Sequence, residues 1–151
     1  MAERVIALDL GVVWDPNAPE ALLVSEDSGP AILMLRPRGD DADGRRIAIV
    51  WDGASAAAME PPNDEAISGH RLYDKGLSGA LWSAEVLDSE WIADLERQNR
   101  VHPLHDPKRF GDLRHFVVLL KECVVEVVAP TVVVRRVSAQ SALAGAEEAR
   151  N

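Results

Sequence analysis

The chain has 151 residues, of which 47% are hydrophobic and 27% charged, and carries a net charge of −9. That is long enough for one domain with its own core and too apolar for intrinsic disorder. Sixteen Lys+Arg against 25 Asp+Glu exclude a protein whose main work is gripping phosphate backbones, which needs clustered cations.

The N-terminal run Val5-Ile6-Ala7-Leu8 is broken by Asp9 and has no basic segment before it, so it does not read as a signal peptide. It begins a series of short Val-, Ile- and Leu-rich segments at 4–10, 20–25, 31–36 and 45–51, each bounded by Gly, Pro, Asp or Asn. This is the pattern of strands joined by turns. Segments 28–30 and 39–44 read as hairpin connections. The Asp-rich 40–43 loop lacks the spacing of a calcium loop, since Gly39 stands where an acid is required and the closing Glu is missing. Asp9 and Gly11 echo the phosphate strand of sugar kinases, but Val12-Val13 replace the small hydroxyl residues that strand needs.

Residues 54–79 show no sustained period, and an irregular stretch of that length is usually functional or mobile. A helix is predicted over 88–100, with Asp88 as N-cap, Trp91, Ile92 and Leu95 as its apolar stripe, and Asn99 inside that stripe. His102-Pro103 ends it. Asp106-Pro107 opens a short helical turn, followed by strands at 114–120, 124–129 and 131–137. The expectation is an α+β fold, a mostly antiparallel β-sheet or open barrel with one main helix, in a single domain over 1–137. The Ala-, Glu- and Ser-rich 138–151 segment has little to bury and reads as a C-terminal tail, either a frayed helix or disordered.

Charge is uneven along the chain: −4 over 1–50, −6 over 51–100 and +1 over 101–151. The plain meaning is a solvated surface, and the sharper one an acidic face for a basic protein partner. All four histidines, His70, His102, His105 and His115, fall between residues 70 and 115, near Asn63, Asp64, Glu65, Glu96 and Asn99. Imidazoles with carboxylates are the raw material of acid–base chemistry and of metal sites. His102-x-x-His105 is a lone pair, however, and no second pair completes a zinc set, so no metal and no cofactor is assigned. On the 114–120 strand His115, Val117 and Leu119 share a face, and Glu126 shares one with Val124 and Val128. An even hairpin loop puts Glu126 on the face of His115, and an odd one does not. A Glu turned inward among valines needs a partner.

The segment Pro61-Pro62-Asn63-Asp64-Glu65-Ala66-Ile67-Ser68-Gly69-His70, with Leu72, Tyr73, Gly76 and Leu77, resembles a family of small uncharacterised bacterial proteins. The likeness continues through Trp91-Ile92, Leu95-Glu96, Asn99, Val101-His102-Pro103, His105 and Leu113-Arg114-His115-Phe116, over roughly residues 45–129. It departs at Lys121-Glu122-Cys123-Val124, where the family carries a polar His-Asp-Ser-Thr tip. No activity is attached to that family, so the resemblance implies an independent bacterial domain and no reaction.

Three functions follow, in order. The first is a cytoplasmic, non-enzymatic module binding a small molecule or a protein partner through 54–79 and the edge before the helix. The second is a small hydrolase or lyase, with His70, His102 and His105 as base or metal site and Glu65 or Glu96 assisting. The third is an immunity- or antitoxin-like acidic inhibitor. No apolar run approaches the ~20 residues of a membrane span. The single cysteine, Cys123, cannot form an intrachain disulfide.

Overall fold

A computed structural model describes residues 2–151. The chain is α+β: nine strands in two antiparallel sheets that stack without closing into a barrel, with a few short helices. The strands are β1 Arg4–Ala7, β2 Leu22–Ser25, β3 Ala31–Leu35, β4 Arg46–Trp51, β5 Ala56–Glu60, β6 Ser83–Leu87, β7 Arg114–Leu119, β8 Val124–Ala129 and β9 Val133–Val137. The helices are α1 Glu90–Asn99, α2 Lys108–Gly111 and α3 Ala142–Arg150. One sheet has the order β1-β6-β7-β8-β5, the other β2-β3-β4-β9.

Alternation along the strands builds the layers. Phe116, Val118, Val125, Val127 and Ala129 point between the sheets and meet Leu33, Leu35, Ile47, Ile49 and Trp51 from the other side. The outer face of the five-stranded sheet, with Val86, Val117 and Val124, is covered by Leu72 and Leu77 from a run of 3-10 turns. The outer face of the four-stranded sheet, with Ile32, Met34, Ala48 and Val50, is covered by α3. Strands covered on both faces read as apolar runs, which is why β3 and β4 are plain in the sequence and β8 is plain apart from Glu126.

Four elements differ from the sequence reading, one of them β6, a strand at Ser83–Leu87 that no apolar run announces. Segment 138–151, expected as a frayed helix or disordered with little to bury, holds the helix α3 packed on the sheet, its Gly145, Ala146 and Ala149 buried. Its small side chains let the helix lie close on the sheet, so burial comes without bulky residues. Within 54–79 lie β5 and three 3-10 turns at Asp64–Gly69, Tyr73–Lys75 and Leu77–Gly79. β5 is Ala-Ala-Ala-Met-Glu, a composition with no preference for strand, held extended by pairing along β8. Finally, α1 is capped by Ser89, whose Oγ accepts from the Ile92 N–H at 3.1 Å, while Asp88 takes a left-handed φ of 52° one residue earlier. Among the described residues no helix is long and apolar enough to cross a membrane.

Candidate functional site

The β7–β8 register pairs Leu119 with Val124, leaving the four residues 120–123 as the loop. The loop is even, so Glu126 lies on the outer face, beside Val117 on one neighbouring strand and Ala58 on the other. His115 sits one pleat along the same face, diagonal to Glu126. A carboxylate there is surrounded by apolar side chains and must be supplied with donors.

Four are supplied. His115 Nε2 lies 2.7 Å from Glu126 Oε1. Arg71, delivered just after the first 3-10 turn, makes a two-pronged contact of 2.7 and 2.9 Å to the two oxygens. His70 Nε2 approaches Oε2 at 3.4 Å. Because His70 Nδ1 accepts the Leu72 N–H at 3.0 Å, the ring proton is left on Nε2, facing the carboxylate. Burial pushes the Glu126 carboxyl up, but hydrogen bonds from His115 and Arg71 outweigh it and hold it down at about 2. Burial pushes the His70 imidazole below its ordinary value, against the pull of Glu126.

The network continues beneath α1. His115 is fully buried, its Nδ1 lies 2.7 Å from Ser89 Oγ, and the Trp91 ring stands edge-on to it at 5.2 Å. The ionised Glu126 carboxylate can only accept, so His115 Nε2–H donates to it, while His115 Nδ1 and Ser89 Oγ share the hydrogen bond on the other side of the ring. Ser89, His115 and Glu126 therefore form a closed chain of hydrogen bonds from the helix cap to the sheet. At the start of α1 the buried Glu3 carboxylate accepts from the Glu90 N–H at 2.7 Å and from Lys75 Nζ at 2.9 Å. It places negative charge where the helix dipole favours it.

Above Glu126 opens a cleft of about 410 Å³. It is lined by Glu60, Arg71, Glu90, Trp91, Asp94 and Glu126, with Glu3 and Ala58. Arg71 is half exposed while Glu126 is almost wholly covered.

The other candidates lie apart from this cleft. His105 belongs to a surface cluster on α1: Asn99 Nδ2 donates to His105 Nδ1 at 2.9 Å, and His105 Nε2 faces Glu96 at 3.4 Å. Arg100, on the same carboxylate at 2.9 Å, holds Glu96 below the usual range. His102 is exposed, and its Nδ1 closes a turn by accepting the Leu104 N–H. Asn63 caps the first 3-10 turn, accepting from Ala66 at 3.0 Å. Asp64 ties that turn to the hairpin tip through its N–H to the Lys121 carbonyl. Glu65 is exposed. The histidines thus divide into His70 with His115, His105 with Glu96 and Asn99, and His102 alone. Among the described residues no group of three or more His, Cys, Asp and Glu is placed to hold a metal ion.

No family model, curated protein or solved structure matches the chain. The site therefore rests on its own geometry. Sequence reasoning missed Arg71 and Ser89 as members. Arg71 carried one faint signal, its place next to His70, whereas Ser89 was hidden by Asp88, an equally good capping residue one position earlier.

Proposed function

We propose that this chain is a non-enzymatic binding module that takes a cationic group of a protein partner into the cleft above Glu126. The observation that carries the reading is the division of labour there. Ser89, His115 and Glu126 spend their hydrogen bonds on one another, on Arg71 and on the backbone, while the solvent-facing groups are Glu60, Glu90 and Asp94 with the partly covered Trp91 ring. They outnumber the one cation among the described lining residues, half-exposed Arg71, whose charge is already matched by Glu126. Carboxylates around an aromatic ring are the chemistry that recognises an ammonium or guanidinium group. The −9 net charge draws a basic partner toward the same face, as an acidic inhibitor of a basic protein would require. A bacterial, cytoplasmic setting fits this reading and the resemblance noted above.

Titration of labelled protein with oligo-arginine and oligo-lysine peptides, followed by NMR, tests it. We expect saturable shifts centred on Ala58, Arg71 and Trp91 that weaken with salt. A triple variant Glu60→Gln, Glu90→Gln, Asp94→Asn should bind at least about tenfold more weakly, the loss of charge-assisted contacts. Equal binding by the triple variant overturns the proposal.

A hydrolase reading has one observation in its favour, the 2.7 Å spacings along Ser89, His115 and Glu126. Two features weigh against it. Ser89 Oγ is engaged as the helix cap, and the Glu3 carboxylate takes the Glu90 N–H, one of the α1 N-terminal donors that an oxyanion would need. A fluorophosphonate probe separates the two readings: labelling at Ser89 supports hydrolysis, and an unlabelled folded protein supports binding.

A further inference from the structure

We infer that the open end of the four-stranded sheet holds a second, unrelated site, for a small oxyanion bearing more than one negative group, such as a phosphate ester or a polycarboxylate. A cleft of about 700 Å³ lies there, between the β3–β4 connection and the segment leading from β9 into α3. Arg36, Arg38, Arg45 and Arg46 line it, against only Glu20 and Asp41. Asp40 and Asp43, just outside the lining, pair with two of these cations, so the cleft is distinguished by how its arginines are partnered rather than by an excess of positive charge.

The arginines are not equally satisfied. Arg38 and Arg45 have close local partners, Asp40 at 2.6 Å and Asp43 at 2.7 Å. Asp41 is committed to Arg136 at 2.7 Å and to the Asp43 and Gly44 N–H groups, so it does little for the lining cations. Arg36 and Arg46 share the single carboxylate of Glu20, each at 3.5 Å. Charge-assisted N–H···O bonds normally run 2.7–2.9 Å. Arg46 is the informative member: its side chain is only 21% exposed, and its remaining contact, to the Gln140 carbonyl, is also 3.5 Å. A largely covered guanidinium whose every partner stands at the limit of hydrogen-bond length has unused donor capacity directed at the cleft.

Glu20 itself has a φ of 48°, a left-handed conformation uncommon outside glycine, and this holds its carboxylate between the two arginines. It occupies the position that a ligand oxyanion would take. An anion seated there makes short bonds to Arg36 and Arg46, displaces Glu20 and meets Arg38 and Arg45 with its second charged group. Their present partners are exposed pairs of the kind that contribute little and are readily exchanged.

Calorimetric titration of the full chain with pyrophosphate and with citrate, against sodium chloride at matched ionic strength, tests the inference and separates phosphoryl from carboxylate ligands. We expect saturable binding of at least one of them. Arg46→Gln should weaken it more than about tenfold, the loss of a charged hydrogen-bonding partner. Glu20→Gln should strengthen it by about two- to fivefold, because it removes the internal competitor, and a purely structural role for these residues does not produce that gain. Arg97→Gln, a surface change on α1, should leave it unchanged. Heat no larger than that of sodium chloride, or unaltered affinity in Arg46→Gln, overturns the inference. Both outcomes are independent of whether cationic peptides bind above Glu126.

Discussion

Replacing Glu126 by glutamine keeps the shape of the side chain and removes its charge. In the folded protein the carboxyl is held at about 2, against 4.5 for the free group. A difference of that size is worth about 3 kcal/mol of stability at neutral pH. The sign follows from proton binding. Between pH 4.5 and 2 the unfolded chain takes up a proton that the folded chain does not, so this contribution is whole above 4.5 and drains away on acidification through that window. His70 adds to the acid limb. Its folded value is depressed, so the unfolded chain gains a proton first as pH falls below 6.5. Breaking a fully buried ion pair costs about 3–5 kcal/mol, but half-exposed Arg71 can turn to water, which places Glu126→Gln at the lower end. Urea unfolding of both proteins at pH 7 and pH 3 is the assay. The variant should lose about 3 kcal/mol at pH 7 and only about 1 kcal/mol at pH 3, where much of the wild-type advantage is already gone. An equal loss at both pH values would refute the reasoning, because the carboxylate charge would not be the source of the stability.

Other expectations are simpler. Gly76→Ala should be among the most damaging single changes: φ is 122° there, and a Cβ would lie 2.3 Å from the Val5 carbonyl oxygen, so the melting temperature should fall on the order of 10 °C. Ser89→Ala removes the α1 cap and orphans His115 Nδ1, which should cost about 1–3 kcal/mol by chemical denaturation, whereas Asp88→Asn, which keeps a side chain tolerated at a left-handed φ, should cost far less. Removing residues 138–151 uncovers Ile32, Met34, Ala48 and Val50, and light scattering should show association that the intact chain lacks.

What could be read from the sequence follows a physical line. β3, β4, β7 and β8 were legible because two-sided burial writes itself as apolar runs. β5 and β6 were not, since Ala56-Ala57-Ala58 and Ser83-Ala84 carry no strand preference and are extended only by neighbours distant in sequence. A helix near α3 was among the expectations, but its packing escaped for the opposite reason, because Gly145 and Ala149 are buried by being small rather than by being greasy. At the site, the pairing of His115 with Glu126 reduced to whether a loop is odd or even, and the sequence posed that question without answering it. The grouping of four histidines within one stretch was visible, but their separation into unlike surroundings was not, since it depends on which face of α1 and of β7 each one meets.

The placement of β9 has a consequence for how the molecule is made. Its partner is β4, with Val50 facing Val133, so one side of β4 has no strand beside it until the later segment is synthesised and returns. At ribosomal rates of about 5–20 residues per second, that interval is on the order of ten seconds. Throughout it, Ile47, Ile49 and their neighbours stand as a bare, strongly apolar strand edge in a chain that cannot yet complete its sheet. Until β9 arrives, the half-built sheet therefore carries an edge of the kind that invites pairing with other chains.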